Sequence, residues 1–205
     1  MSKAAATVRT TAAPEAGAGD TRARILDIGE QLLLERGYAG FSYQDIAEAV
    51  GIRKASIHHH FPAKEDLGRA ILERASLRLS DGRGPVAEDA EQVKRQFERF
   101  LRFFERLSED GSRLCIGGRL SADFAILPDP VRDPFREFMA RHGAWLEELC
   151  RVGQKTGVFR KDMPAREQAL MLRASVQGAV QIARSSGDPE LYRAVAGVMR
   201  RQILA

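Results

Sequence analysis

Apolar residues recur along this chain at steps of three and four, the spacing of helices buried on one face, and beyond residue 85 no strand-like alternation interrupts them. Ile25, Ile28 and Leu32, flanked by Leu26 and Leu33, predict a first helix that Asp20 and Thr21 cap and that runs to about Arg36, with Gly37 as its stop. A second helix begins where Phe41 and Ile46 fit a hydrophobic staple around the capping box of Ser42 and Asp45, and its Ile46, Ala47 and Val50 face ends at Gly51. After a turn, RKASIHHHF predicts a third short helix. Two such helices cannot bury their own apolar faces, so the first must lie across them as the missing wall.

A fourth helix is expected from Lys64 to about Ser80, with Glu65 and Asp66 near the positive end of its dipole, and the DGRGP run at 81–85 is the clearest break in the chain. Val93, Phe97, Phe100, Leu101, Phe104 and Leu107 mark the fifth, with Phe103 widening its apolar face. Between Gly111 and Pro130 the pattern supports a short helix, weakened by Gly117 and Gly118 and ended by Pro128 and Pro130. Val131, Phe135, Phe138, His142, Trp145, Leu149 and Val152 then form an unbroken stripe, expected to be buried over its whole length. The eighth helix, about 165–185, and the ninth, from Asp188 and Pro189 to about Leu204, carry apolar residues on several sides. A second copy of the chain is the simplest cover for them, with Ala174 and Gly178 allowing close approach.

Composition adds bounds. The chain has 205 residues, 44% hydrophobic and 29% charged, which suits a globular protein with a substantial core. No apolar run approaches the roughly 18 residues of a membrane span, and the N-terminus lacks a signal-peptide core, so a cytoplasmic location is expected. Cys115 and Cys150 cannot make a disulfide framework. The formal charge of +4 suggests nucleic acid, but residues 20–74 hold 8 Arg or Lys against 9 Asp or Glu, leaving −1. Any positive field is therefore local. It lies between Gly51 and Lys64, where no acid occurs and three of the four histidines stand.

The stretch FSYQDIAEAVGIRKASIHHHFPAKEDL, Phe41 to Leu67, resembles the DNA-binding signature of the TetR family of bacterial repressors. Gly51, Ile52, Lys54, Ala55, Ser56, Ile57, His59, His60, Phe61, Lys64, Glu65 and Leu67 stand at matching places. Arg53, His58 and Ala63 depart from it, where Ser or Thr, Tyr, and Ser or Asn are common. The resemblance implies a helix-turn-helix whose second helix enters the major groove. Gln44, Lys54, Ala55 and His59 then face bases, and Ser42, Tyr43, His58, His60 and Lys64 face phosphates. Consecutive helical residues point about 100° apart, so the three histidines cannot close on one metal ion.

These readings give an all-α chain of about nine helices. A disordered tail at 1–19 precedes a helix-turn-helix DNA-binding domain at 20–62 and a regulatory and dimerisation domain at 63–205. The expected function is a homodimeric, ligand-responsive repressor, paired through helices eight and nine, that binds a palindromic double-stranded DNA operator and is released by a small-molecule or electrophilic effector, with no cofactor. By the resemblance the effector lies among the bundle helices, and Phe97, Phe100, Phe104, Cys115, Phe124, Phe138, His142, Trp145 and Gln177 are the candidate lining. Arg113 and Arg119 flank Cys115 and would lower its thiol pKa, favouring a redox or electrophile sensor; a small buried hydrophobe is the competing reading. Cys150 reads as structural. One rival function is a DNA-located protein-interaction factor without an effector. Another is an enzyme with Cys115 as nucleophile and His142 as base, but no acid, oxyanion loop or cofactor fingerprint accompanies them.

Overall fold

In a computed structural model, residues 18–111 and 114–205 are described; residues 1–17 of the tail expected at 1–19, and Arg113, lie outside them, while Ala18 and Gly19 belong to the first helix. Among the described residues nine α-helices follow in order: α1 Ala18–Arg36, α2 Tyr43–Val50, α3 Lys54–His60, α4 Lys64–Arg83, α5 Ala90–Asp110, α6 Ile116–Ala122, α7 Asp129–Lys155, α8 Ala165–Ser186 and α9 Glu190–Ile203. A 3-10 turn at Phe124–Ile126 precedes α7, and one isolated bridge pairs Phe159 with Leu204.

The starts and stops follow local chemistry. Ser42 and Asp45 form the capping box of α2, and Gly51 ends it in the left-handed region at φ 76°. Gly37 turns the chain out of α1 at φ 85°, and a Cβ there would stand 2.6 Å from Asp123 Oδ2. At the start of α4, Asp66 replaces the missing cap by accepting the Ala63 N–H at 3.0 Å.

Packing divides into two apolar clusters. The first joins α1, α2 and α3 to Leu67, Ile71 and Leu72 of α4, and to Leu120, Val131, Phe135 and Phe138 from α6 and α7. The three-helix unit therefore does not end its core at Phe61. The second cluster gathers α5, the C-terminal half of α7, α8 and α9 around Phe97, Phe104, Leu146, Leu172 and Tyr192. Tyr192 donates its hydroxyl to the Leu101 carbonyl at 2.8 Å, and Arg200 pairs with Glu98 at 2.9 Å, pinning α9 to α5. Truncating a fully buried residue such as Ile46 or Leu146 to Ala removes about 2–5 kcal/mol.

Several sequence expectations change. Helix α4 continues past Ser80 to Arg83, because Gly82 is accommodated in the last turn and Gly84, at φ 63°, makes the stop. Helix α7 begins at Asp129 and takes both Pro130 and Pro134 within it; Pro130 lies in the first turn, where no N–H is needed. Trp145 is half-buried and Leu146 fully buried, so the stripe is not sealed along its whole length. The two glycines of α6 answer to close approach. A Cβ at Gly118 would meet Gln177 Oε1 at 2.6 Å, and one at Gly117 would meet Met139 Sδ at 3.2 Å.

Candidate nucleic-acid interface and ligand chamber

The reader surface is built on α2 and α3. Ser42 Oγ accepts the N–H of Gln44 at 3.2 Å and of Asp45 at 3.4 Å, while its own N–H and hydroxyl go to Asp45 Oδ2 at 2.8 and 2.6 Å. Those bonds hold the Asp45 carboxyl below the usual range. Beneath α3, Ile57 is fully buried, so the helix sits on the core and turns Lys54, Ala55, His58 and His59 outward. Gln44 is exposed on α2 with its amide donating to Glu48 at 2.8 Å. His58 stands edge-on to Tyr43, with Nδ1 3.1 Å from the Pro62 carbonyl, and half-buried His60 lines an outer groove with Arg22 and Asp66.

Two residues expected at phosphates turn inward. Tyr43 is buried and donates its hydroxyl to the carbonyls of Phe61 at 2.9 Å and Ala63 at 2.6 Å. The Lys64 ammonium donates to the Phe41 carbonyl and lies 4.0 Å from the Phe41 ring centre. Both polar groups tie the α3–α4 turn to the start of α2, and burial lowers the Lys64 pKa.

Ionic contacts join this unit to the bundle. Arg74 of α4 pairs with Asp27 and Glu30 of α1, and Arg78 reaches the same Glu30. From α6, Arg119 donates to the carbonyls of Leu34 at 3.3 Å and Glu35 at 3.0 Å, and Asp123 accepts the Tyr38 N–H at 2.7 Å. Cations at the last carbonyls of a helix satisfy groups that have no partner within it and oppose its dipole.

A chamber of about 390 Å³ lies where these elements meet. Its walls come from Glu30 and Leu34 of α1, Arg78, Leu79 and Arg83 of α4, Phe103, Phe104 and Leu107 of α5, Cys115 to Gly117, Phe138, Met139 and His142 of α7, and Gln177 of α8. A recess of about 410 Å³ beside it shares Leu79, Arg83, Phe138 and His142 and adds Trp145. The structure thus brings Phe104, Cys115, Phe138, His142 and Gln177 together, with Trp145 next door. Phe100 lines a third pocket with Arg83 and Trp145. Two candidates belong elsewhere: Phe97 is fully buried against Phe159, and Phe124 lies tilted beside Phe135 and beneath Arg132 and Arg136.

Arg83 is the residue that sequence reasoning missed. Its Nη1 lies 2.7 Å from His142 Nδ1 and its guanidinium 4.8 Å from the Trp145 ring centre. Burial brings the Arg83 pKa down to about 10 and, with Arg83 and Arg173 nearby, brings His142 down to about 3. The steps of four from Ala75 to Leu79 to Arg83 were the available signal, hidden by reading the glycines at 82 and 84 as an earlier break.

Cys115 caps α6, its Sγ accepting the Gly118 N–H at 3.2 Å and lying 3.4 Å from Gln177 Nε2. Burial pushes its thiol up, against those hydrogen bonds and Arg83, which pull it down. Arg119, expected to activate it, is turned to α1 instead. Cys150 is fully buried and its thiol is pushed up to about 12 by burial.

Known proteins match both halves of this architecture. The family described as "Bacterial regulatory proteins, tetR family" matches residues 25–71, and "Tetracyclin repressor-like, C-terminal domain" matches residues 89–199. The HTH-type transcriptional repressor DhaR of Mycobacterium sp. (strain GP1) is 32% identical over 161 residues, which are 78% of this chain and 80% of DhaR. A TetR-family transcriptional regulator from Agrobacterium tumefaciens has a crystal structure that superposes with a TM-score of 0.86 at 28% identity, over 92% of this chain and 100% of that one. The reduced form of E. coli NemR shares the fold, with a TM-score of 0.73 at 24% identity over 90% of this chain and 98% of NemR. The capped α2–α3 reader, the helical bundle behind it and these matches together place the chain in the TetR family of bacterial transcriptional repressors.

Proposed function

We propose that this repressor acts as a homodimer on a palindromic operator and is released when a small molecule occupies the chamber. The observation that carries the reading is the chamber's wall. Glu30 and Leu34 of the reader helix α1 line it together with α4, α6 and α8, so a ligand touches reader and bundle at once. Such a ligand shifts the equilibrium by its differential affinity for the DNA-competent and released states. Two α3 helices must sit about 34–36 Å apart to enter successive major grooves, and a change in that separation releases DNA. Lys54, Ala55 and His59 of α3, with Gln44 of α2, are assigned to bases; Ser42, His58 and His60 are assigned to the backbone.

Pairing through α8 and α9 is supported by the exposed apolar residues Leu170, Ile182, Leu191 and Val198, with Ala174 and Gly178 among them. Light scattering of wild type and of Ile182→Asp tests it. A dimer in the first and a monomer with weakened operator binding in the second is expected; a dimer in both removes this face from the interface.

A second reading, modification of Cys115 by an electrophile, is favoured by its place on the chamber wall and by the two donors at Sγ, and opposed by burial of the thiol. DNA release by a quinone in wild type and equally in Cys115→Ser would eliminate it. The interaction-factor reading has no comparable support, since the matched relatives are repressors along most of the chain.

A further inference from the structure

Among the described residues the half-buried cations find oxygen acceptors, with one exception. Arg74 has Asp27 and Glu30, Arg200 has Glu98, and Arg119 has the carbonyls that end α1. Arg83 is held only by the neutral ring of His142, at 2.7 Å, and by the faces of Trp145 and Phe100, at 4.8 and 5.9 Å. Among the described residues no carboxylate pairs with it. Its neighbour is unsatisfied as well. An arginine only donates, so His142 Nδ1 must accept, and the ring proton of the neutral imidazole sits on Nε2. That atom is buried without a partner in a residue only 7% exposed.

A cation partly withdrawn from water and an N–H without an acceptor stand side by side on residues that line the chamber. Both lack the same thing, a negatively charged oxygen acceptor. The other polar groups on the wall are Arg78 with Glu30, the Gln177 amide and the Cys115 thiol, while Phe104, Phe138 and Met139 supply apolar surface. Glu30 is already held by Arg74 and Arg78, so the chamber carries an uncompensated positive charge.

We infer that the chamber takes a carboxylate with an apolar body, its head group paired with Arg83 and the His142 Nε2–H and its body against Phe104, Phe138 and Met139. The inference rests on the proposal that the chamber is the effector site, and it narrows that effector to a class. It also supplies a route to release: Arg78 lines the same chamber, so negative charge brought into it competes with Glu30 for Arg78 and loosens the hold of α4 on α1.

The chain's single tryptophan, Trp145, lies under Arg83 and reports occupancy by its emission. The full-length protein is titrated with 4-phenylbutyrate and octanoate, and with 4-phenylbutyramide, octanamide and octylamine as neutral and cationic counterparts. The expected result is saturable binding of the carboxylates, tighter than their amides by about tenfold or more, with Arg83→Met reducing carboxylates to the amide level and Arg83→Lys restoring part of the difference. Amides or the amine binding as tightly as carboxylates to wild type overturns the anionic class and leaves the chamber a ligand site, as does unchanged carboxylate affinity in Arg83→Met. No response to any probe overturns the chamber reading and this inference with it. Should Arg83→Met fail to fold, the comparison of carboxylates with amides on wild type decides alone.

Discussion

Asp123 accepts the backbone N–H of Tyr38 at 2.7 Å, and through that bond the end of α6 is fastened to the turn that leads out of α1. Arg119, one helical turn earlier, grips the carbonyls of Leu34 and Glu35. Helix α6 is thus attached to the reader at one end and forms chamber wall at the other, through Ile116 and Gly117. In the proposed mechanism it shares the transmission of a ligand signal with α4, whose Arg74 and Arg78 hold α1. Replacing Arg119 with Gln is expected to leave ligand binding intact while reducing the coupling between ligand and operator by about 0.5–2 kcal/mol. Operator affinity with and without ligand, beside the ligand-induced rise in Tm, checks it; full coupling in the variant would assign transmission to α4 alone.

The inward turn of Tyr43 separates stability from DNA contact. Tyr43→Phe leaves the Phe61 and Ala63 carbonyls without their donor and is expected to lower stability by about 1–2 kcal/mol. The slope of log affinity against log salt should stay at its wild-type value, because no phosphate contact is lost. A shallower slope would return the hydroxyl to the backbone of the DNA.

Acid should act on the pocket through His142. Its folded pKa of about 3 lies below the ordinary value of 6.5, so the unfolded chain binds the extra proton between those limits. Stability contributed by the neutral ring is present above pH 6.5 and is lost as pH falls toward 3. Denaturant unfolding of wild type and His142→Gln across that range checks it. The variant should lose stability less steeply, and parallel curves would show that the folded His142 ring takes up its proton as readily as the unfolded one.

Much of this was legible in the residues. The capping box at Ser42 and the stop at Gly51 depend on neighbours along the chain and form as the sequence predicts, and Phe41 and Ile46, the two residues of the expected staple, are both buried in one cluster. The helix count follows from periodicity for the same reason. What the sequence concealed depends on contacts between distant residues. Gly117 and Gly118 read as helix breakers, because Met139 and Gln177, the atoms that need the space, are remote in the chain. The internal bonds of Tyr43 and Lys64 were hidden in the same way, because nothing local announces the carbonyls of Phe61, Ala63 and Phe41. Arg83 read as part of a linker, since its partners His142 and Trp145 belong to α7.

In the proposed function α3 reads DNA sequence from its first turn, where Lys54 is exposed and free of any acid in that turn. The most direct measurement is fluorescence anisotropy of wild type and Lys54→Ala on two duplexes, one selected by the protein from a random pool and one scrambled, at two salt concentrations. The expected result is a loss of about 1–3 kcal/mol on the selected duplex, with a much smaller loss on the scrambled one. Equal losses on both would contradict it and reduce Lys54 to a phosphate contact.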